Sequence, residues 1–351
     1  MSKRTLEEAM REVNKKFKSD VVRNGLVFDE VKRIPFSSPR LNYMTYGGIP
    51  VGRIIEFAGE EGGGKTTTAL DLVGHAQKLF PDKQVLYVDI ERTLDAEWAQ
   101  KLGVDVDSLI LFSPDEQTAE EIMEAVKTIV ETGDISLCIL DSLAAMVSAQ
   151  AYSKTIEDKT YGGISMALTL FSKEMIPVCA RTGCAMIGIN QIREDMNSTY
   201  GGTTTTGGRA WRHNCSVRME FRKSDYIDEK GNAIPRNCEN PTGHLVKVSL
   251  IKSKVCKLDR KVGFYTLKYL SGIDYISDII DLAIKAGFVN AAGAWYSIMD
   301  YDDELGNISD KPAVMDGQPL KFQGKARLHE FLETNEDWRE ELNERVFAHF
   351  S

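Results

Sequence analysis

The sequence has no CxxC pair: its six cysteines stand at 138, 179, 184, 215, 238 and 256. That spacing excludes the usual zinc-finger and disulfide frameworks and predicts reduced core thiols. No apolar run approaches the ~18 residues needed to span a bilayer, which predicts no membrane segment. The start, MSKRTLEEAM, lacks the apolar core of a secretory signal, so a cytoplasmic protein is expected. There is no internal repeat, no low-complexity tract, and no overall excess of positive charge, the net charge being −9. The acidic balance argues against a chain coated in basic surface. Charge is nevertheless uneven: residues 247–268 carry seven Lys/Arg against Asp259, while residues 300–351 carry thirteen acids against six bases. A polyanion-facing central part and an acidic end are the expectation from that asymmetry.

What the chain has is 351 residues of ordinary globular composition, 42% hydrophobic and 27% charged. Residues 5–18, TLEEAMREVNKKFK, place Leu6, Met10, Val13 and Phe17 on one helical stripe, with Thr5 and Glu8 spaced for a capping box. From residue 53, short apolar runs (RIIEFAG, QVLYVDI, LILFS, SLCILDS, CAMIGIN) alternate with helical segments, Pro177 being expected to kink the one over 162–182. Such alternation predicts a mostly parallel sheet covered on both faces. SVRMEFRK, HLVKVSLIKSK and GFYTLKYL follow without an obvious intervening helix, so antiparallel additions to the sheet are expected. From about 271 three helical segments surround WYSI. The chain is expected to divide into an N-terminal helical segment (1–33), a large α/β core (34–270) and a small C-terminal α/β domain (271–351).

GEEGGGKT, Gly59–Thr66, fits GxxxxGK[ST] directly between a strand and a helix. Gly59, Glu60, Glu61, Gly62, Gly63 and Gly64 would wrap a phosphate chain with backbone N–H groups, at a helix N-terminus that favours anions. Lys65 supplies a point charge, Thr66 a hydroxyl for Mg²⁺, and Thr67 continues the turn. Other strand ends add Asp141 as a carboxylate near the metal, Glu91 as a candidate base for the attacking water, and Gln191 as an amide able to sense the γ-phosphate. The cofactors implied are ATP and Mg²⁺.

After the strand comes INQIREDMNSTYGGTTTTGGRAW (189–211), with no period of 2 or 3.6 over its polar stretch. Structureless loops longer than ~12–15 residues are usually functional or disordered. Beginning at the residue placed to feel the γ-phosphate, and offering Gly, Thr, Arg193, Arg209 and Arg212, it reads as an ATP-gated grip on a polyanion.

GGIPVGRIIEFAGEEGGGKTT (47–67), DIERTLDAEWAQKLGVDVDSL (89–109), LDSLAAM (140–146), NQIR (190–193), TTTGG (204–208), VSLIKSK (248–254) and GAWYS (293–297) together resemble the RecA-type homologous recombinases over nearly the whole chain. The resemblance implies a RecA-like P-loop ATPase core with an N-terminal polymerisation helix and a small C-terminal lobe. It implies catalytic roles for Glu91, Lys65 and Gln191, with Lys252 and Lys254 reaching the neighbouring protomer's γ-phosphate. Trp98 falls where the family stacks a tyrosine on adenine, with Asp95 near the adenine amino group. IEDKTYGGIS (156–165) resembles the first DNA-binding loop, and 189–211 contains the second. The DNA-contact candidates are Lys159, Tyr161, Gly162, Lys173, Arg193, Met196, Tyr200, Thr204, Thr206, Gly207, Gly208 and Arg209. The implied activity is DNA-dependent ATP hydrolysis driving homologous pairing and strand exchange between single-stranded and duplex DNA. The implied partners are those DNAs and further copies of the chain in helical filaments, with room for mediator or single-strand-binding proteins. Asp195, Met166, His213 and Arg209 depart from the residues of the best-known bacterial members, and 300–315 looks like an insertion, as in a divergent or phage-encoded member. A RecA-core hexameric motor, a nucleotide-gated DNA-binding regulator with little turnover, and a small-molecule P-loop kinase are the rival classes. The absence of an appended motor domain and the TTTTGG loop weigh against the first and last.

Overall fold

The structure is a computed structural model that describes residues 5–18, 21–22, 31–153, 163–194, 203–229, 231, 233–235, 237–302 and 306–350. The chain forms two compact units, residues 1–32 and 33–351. In the first, the Leu6–Phe17 helix starts at the anticipated capping box: Thr5 accepts from the Glu8 N–H while Glu8 reaches back to the Thr5 N–H at 3.0 Å. It ends on Lys18 in the left-handed region, and Asn14 exchanges two 2.8 Å hydrogen bonds with Val22.

The second unit is built on a sheet of eleven strands among the described residues. In chain order these are β1 Ile54–Gly59, β2 Gln84–Asp89, β3 Leu109–Phe112, β4 Ile135–Asp141, β5 Ala185–Glu194, β6 Thr203–Thr205, β7 Val217–Ile227, β8 Ala233–Ile234, β9 Gly243–Ser253, β10 Val262–Lys268 and β11 Gly272–Asp274. The order across the sheet is β11-β10-β9-β7-β1-β5-β4-β2-β3, with β6 paired to β5 and β8 to β7. Strands β7, β1, β5, β4, β2 and β3 run parallel. β9 and β10 are antiparallel, as expected, and the short β11, not anticipated, adds a further antiparallel strand. β7, expected to be antiparallel as well, pairs with β9 in that way but joins β1 in parallel register, Glu56 opposite Arg218. The short Gly208–Asn214 helix supplies the crossover that the sequence pattern did not reveal.

Side chains of a strand alternate between faces, and two buried clusters follow from that. Ile55, Phe57, Val85, Tyr87, Leu137, Ile139 and Ile187 lie against the Lys65–Leu79 helix through Leu70, Leu72, Val73 and Ala76. Ile54, Leu86, Val88, Cys138, Leu140 and Met186 lie against the Ala119–Glu131 and Gly163–Thr182 helices. The latter helix is continuous through Pro177. By length and composition it passes as a membrane span, yet Leu168, Phe171, Met175 and Val178 bury its inner face in this core. Truncating one such central aliphatic, Leu140→Ala for instance, would cost about 2–5 kcal/mol.

Residues from Tyr275 onward form a third cluster, in which helices Tyr275–Ala286, Lys325–Thr334 and Glu336–Phe350 cover an antiparallel sheet centred on Trp295–Asp302. The WYSI strand thus extends further than its apolar run, and the 300–315 stretch supplies its partner, Asn307–Pro312. This cluster belongs to the same compact unit as the eleven-stranded sheet. At the join, Asp278 is buried; it accepts from the Ser38 hydroxyl at 2.5 Å and lies 3.6 Å from Arg40 Nε. Arg40 also pairs with Asp281, whose other oxygen takes Lys325 at 2.5 Å.

Burial pushes the Asp278 carboxyl up to about 7, more than Arg40 and the Ser38 hydroxyl pull it down. A folded-state pKa above the unfolded one (about 4) means the folded chain holds a proton that the unfolded chain releases. That stabilisation is complete below the unfolded value and is lost as pH rises through 7. Asp278→Asn keeps the acceptor for Ser38 without the charge. Its melting temperature at about pH 8 should equal or exceed the parent's, with a shallower fall between acid and neutral pH. A variant melting well below the parent at that pH would show instead that the Arg40 pair dominates.

Candidate nucleotide and nucleic-acid site

The cradle begins where β1 ends. Gly59 stands in register with Gln191 of β5 and Phe221 of β7, and a Cβ there would lie 2.3 Å from the Phe221 carbonyl oxygen, so only glycine lets the strands close up. Gly64 caps the following helix at φ +92°, and a Cβ on it would meet the Tyr265 hydroxyl at 2.6 Å. Tyr265 in turn bonds Thr68 Oγ1 at 2.7 Å and the Gly64 carbonyl at 3.3 Å, fixing the first turn from the antiparallel side of the sheet. Gly62, Gly63 and Gly64 with Lys65, Thr66 and Thr67 border a cavity of about 410 Å³, completed by Trp98, Lys223, His244, Leu267 and Tyr269.

Lys65 is buried, its ammonium donating to the carbonyls of Gly59 (3.0 Å) and Glu60 (2.6 Å). Burial lowers its pKa, while Asp141, Glu91, Glu61 and Glu60 raise it. Thr66 Oγ1 and the Tyr87 hydroxyl both donate to Asp141 Oδ2 at 2.8 Å. Burial pushes Asp141 up; those two hydroxyls oppose it, and the charges of Glu91 and Asp89 add to the rise. Glu91 accepts from Ser142 Oγ, the residue following Asp141, so the ends of β2 and β4 hold the two carboxylates together. Asp89 is spoken for: it accepts from the N–H groups of Thr93 and Leu94 and so shapes the turn that presents Glu91. A hydroxyl and a carboxylate beside further negative charge are the hard-oxygen donors a divalent cation prefers, and glycines leave the loop open to a phosphate. The residues present therefore fit ATP and Mg²⁺.

Trp98 lines the cavity, its indole N–H 3.4 Å from Thr67 Oγ1. Asp95 is engaged locally, its carboxylate capping the Ala96–Lys101 helix by accepting from the Trp98 N–H at 3.1 Å. Tyr269 is a second aromatic wall that the motif reading did not include, oriented by His244 Nδ1 at 3.0 Å from its hydroxyl. Burial and Lys223 push His244 down to about 4, so it stays neutral at physiological pH.

The described flanks of the stretch expected to be structureless are regular, while residues 195–202 at its centre lie outside the described residues. β5 continues to Glu194 and pairs antiparallel with β6, Ile192 opposite Thr205 and Arg193 opposite Thr204. β-branched threonines suit an edge ladder, and helix Gly208–Asn214 follows at once. Arg193 and Arg209 are exposed, Thr204 and Thr206 half-buried. Gly207, at φ +96°, would bring a Cβ within 2.9 Å of Leu168; Gly208, at φ +68°, opens the helix. Lys173 is exposed on the Gly163–Thr182 helix. Met196 and Tyr200, with Lys159, Tyr161 and Gly162, lie outside the described residues, as does most of the first DNA-loop segment.

Lys252 and Lys254 do not lie at their own chain's cradle. Lys252 is paired across β9–β7 with Arg218, which is level with Glu56, a run of three residues or roughly 10 Å before Gly59. Lys252 donates to the carbonyls of Arg212 (2.9 Å) and His213 (2.7 Å), and Lys254 to His213 (2.8 Å), capping the Gly208–Asn214 helix where cations are favoured.

A profile of the RecA N-terminal domain matches residues 4–274. The chain belongs to the RecA family. Among curated relatives, Protein RecA of Streptomyces ambofaciens is 33% identical over 347 residues, 98% of this chain and 85% of the relative. Protein RecA of Ruminococcus albus is 31% identical over 318 residues (90% and 77%), and that of Paracoccus denitrificans 33% over 304 (86% and 76%). RecA membership makes the chain a RecA-type recombinase, concerned with DNA recombination and repair, and implies binding of nucleotide and DNA. The α/β core with its large, mostly parallel sheet is the RecA fold.

The carboxylate pair of this RecA site yields a pH test. The Tyr87 hydroxyl lowers the Asp141 pKa. Tyr87→Phe should therefore raise it, so that Mg²⁺ binding and ATP turnover fail at a higher pH on the acid side while the alkaline side is unmoved. Half-saturation by Mg²⁺ measured across pH reads this, and an unmoved acid limb would contradict the role given to Asp141.

Proposed function

We propose that the chain is an ATP-dependent recombinase that forms helical filaments on single-stranded DNA and pairs it with homologous duplex DNA. The observation that carries this is the register of β1 with β5: the phosphate cradle at Gly59 sits directly beside Gln191, and three residues on the same strand become the hairpin bearing Arg193. A change in contact at Gln191 reaches the DNA-facing hairpin without crossing another element. That fits a strand-handling ATPase better than a kinase or a free-standing nucleotide switch.

In this reading the backbone of Gly62–Thr67 cradles the phosphates, and Lys65 leaves its loop carbonyls to meet the β/γ-phosphates. Thr66 and Asp141 hold Mg²⁺, which when bound offsets charge on the phosphates. Glu91, oriented by the Ser142 hydroxyl, takes the proton of the attacking water. Trp98 and Tyr269 offer aromatic faces to the base. Arg193, Arg209 and Lys173, with the hydroxyls of Thr204 and Thr206, contact DNA phosphates largely without regard to sequence. Lys252 and Lys254, held away from their own cradle, serve the ATP of the adjacent protomer in a filament. The Leu6–Phe17 helix supplies the docking stripe for that neighbour. The protein works in the cytoplasm of a bacterium or of a phage-infected cell.

ATP hydrolysis should be slow without DNA and rise cooperatively with single-stranded DNA. Lys65→Ala should abolish it, and Glu91→Gln should slow it by roughly 10²–10⁴ while leaving ATP binding intact. Mixing Glu91→Gln with Lys252→Ala/Lys254→Ala should restore part of the activity, because an intact Glu91 then meets intact lysines across an interface. Rapid hydrolysis by Glu91→Gln, or indifference to DNA, rejects the recombinase reading. No recovery from demonstrably co-assembled variants removes the lysines from the neighbour's site.

A further inference from the structure

Glu56 lies in mid-β1, three residues before the cradle, and has no exposed surface. Its carboxylate collects three side-chain donors from three elements. Asn190 Nδ2 of β5 and Trp211 Nε1 of the Gly208–Asn214 helix donate to Oε1 at 2.9 and 3.1 Å, and Arg218 Nε of β7 donates to Oε2. Asn190 Nδ2 also donates to the Thr206 carbonyl at 2.9 Å. One carboxylate on the cradle strand therefore ties down both ends of the hairpin: the strand that enters it at Asn190 and the helix that leaves it at Trp211. A buried carboxylate is tolerated only when paired and hydrogen-bonded in this way.

A second observation concerns the same place. Asn190 Oδ1 and Thr205 Oγ1 are both buried and without a hydrogen-bond partner among the described residues. Native interiors leave few such atoms unpaired. The two are complementary, since a hydroxyl donates and an amide oxygen accepts. They are also neighbours: Thr205 stands opposite Ile192, side chains two apart share a face, and so Asn190 and Thr205 are diagonal partners on one face of the ladder.

We propose that Asn190, Thr205 and Trp211 are positioning residues that set the hairpin for nucleic acid. When nucleotide is bound, a small shift of β6 along β5 lets the Thr205 hydroxyl donate to Asn190 Oδ1, while Trp211 and Glu56 keep the far end of the hairpin fixed. Gln191, next in the chain, is the residue whose contact with the terminal phosphate draws β5 into that position. This rests on the nucleotide reading of the cradle, and it adds a defined hydrogen bond through which that site acts on DNA affinity.

Thr205→Val removes the hydroxyl at nearly constant size. Without nucleotide the hydroxyl has no partner, so the variant should melt at the parent's temperature or above it, and it should bind ATP as the parent does. Amide hydrogen exchange is then followed over residues 203–206 with and without Mg²⁺ and a slowly hydrolysed ATP analogue. The parent should gain protection on adding nucleotide, and Thr205→Val should not. Affinity for a fluorescent single-stranded oligothymidine in the presence of the analogue should fall by about three- to tenfold, the worth of one hydrogen bond. Trp211→Phe, which keeps an aromatic ring but removes the N–H to Glu56 together with the five-membered part of the indole, should weaken the same affinity while leaving basal hydrolysis unchanged. Equal nucleotide-dependent protection in parent and Thr205→Val overturns the proposal, as does a parent that binds nucleotide with no change in exchange. A parent that binds no nucleotide fails the reading of the cradle itself, and this inference with it.

Discussion

Everything in the ATPase core depends on β1 being held in parallel register between β5 and β7. That register puts the Gly59 backbone against Phe221 on one side and beside Gln191 on the other, so the cradle is a rigid strand end rather than a loop in solution. The same strand carries Glu56, whose three donors reach into β5, β7 and the helix after the hairpin. The cradle and both ends of the hairpin are thereby tied to one hydrogen-bonded strand, which is the physical basis of the nucleotide gating proposed above.

Charge is divided with similar economy. Asp141, Asp89 and Glu91 concentrate negative charge at the ends of β2 and β4, with Lys65 alongside. The basic run at 247–268 is more dispersed in its duties than its net charge suggested. Lys252 and Lys254 cap a helix, and Lys268 pairs with Asp274 at 2.8 Å. Arg260 lies over the rings of Tyr43 and Tyr46 at 4.1 and 4.2 Å and donates to the Phe350 carbonyl. Only part of that positive charge is left to face a polyanion.

Features governed by short-range chemistry were legible in the sequence. The P-loop, the capping box at Thr5, the apolar parallel strands and the carboxylates at their ends follow from spacing and period alone. Three things were not. The parallel course of β7 depends on a seven-residue helix, Gly208–Asn214, whose Gly-Arg start has no apolar stripe to announce it. The pairing of Thr203–Thr205 depends on β5 continuing past its apolar run as a ladder partner for threonines. The roles of Tyr265, Tyr269 and Glu56 depend on partners up to 201 positions away, as for Tyr265 with Gly64, and no local pattern marks them. Asn190 illustrates the difference: next to Gln191 it reads as a solvated strand cap, yet it is fully buried and belongs to the Glu56 cluster.

Control of the grip on DNA by the nucleotide cradle is the central claim. The most direct measurement is the affinity of the wild-type chain for single-stranded DNA, taken across a salt series with a slowly hydrolysed ATP analogue and again with ADP. Tight binding with the analogue, weakening steeply with salt by a log–log slope of about −0.7 per phosphate contacted, and markedly looser binding with ADP is the predicted result. Equal affinity with the two nucleotides, or binding indifferent to salt, would contradict it.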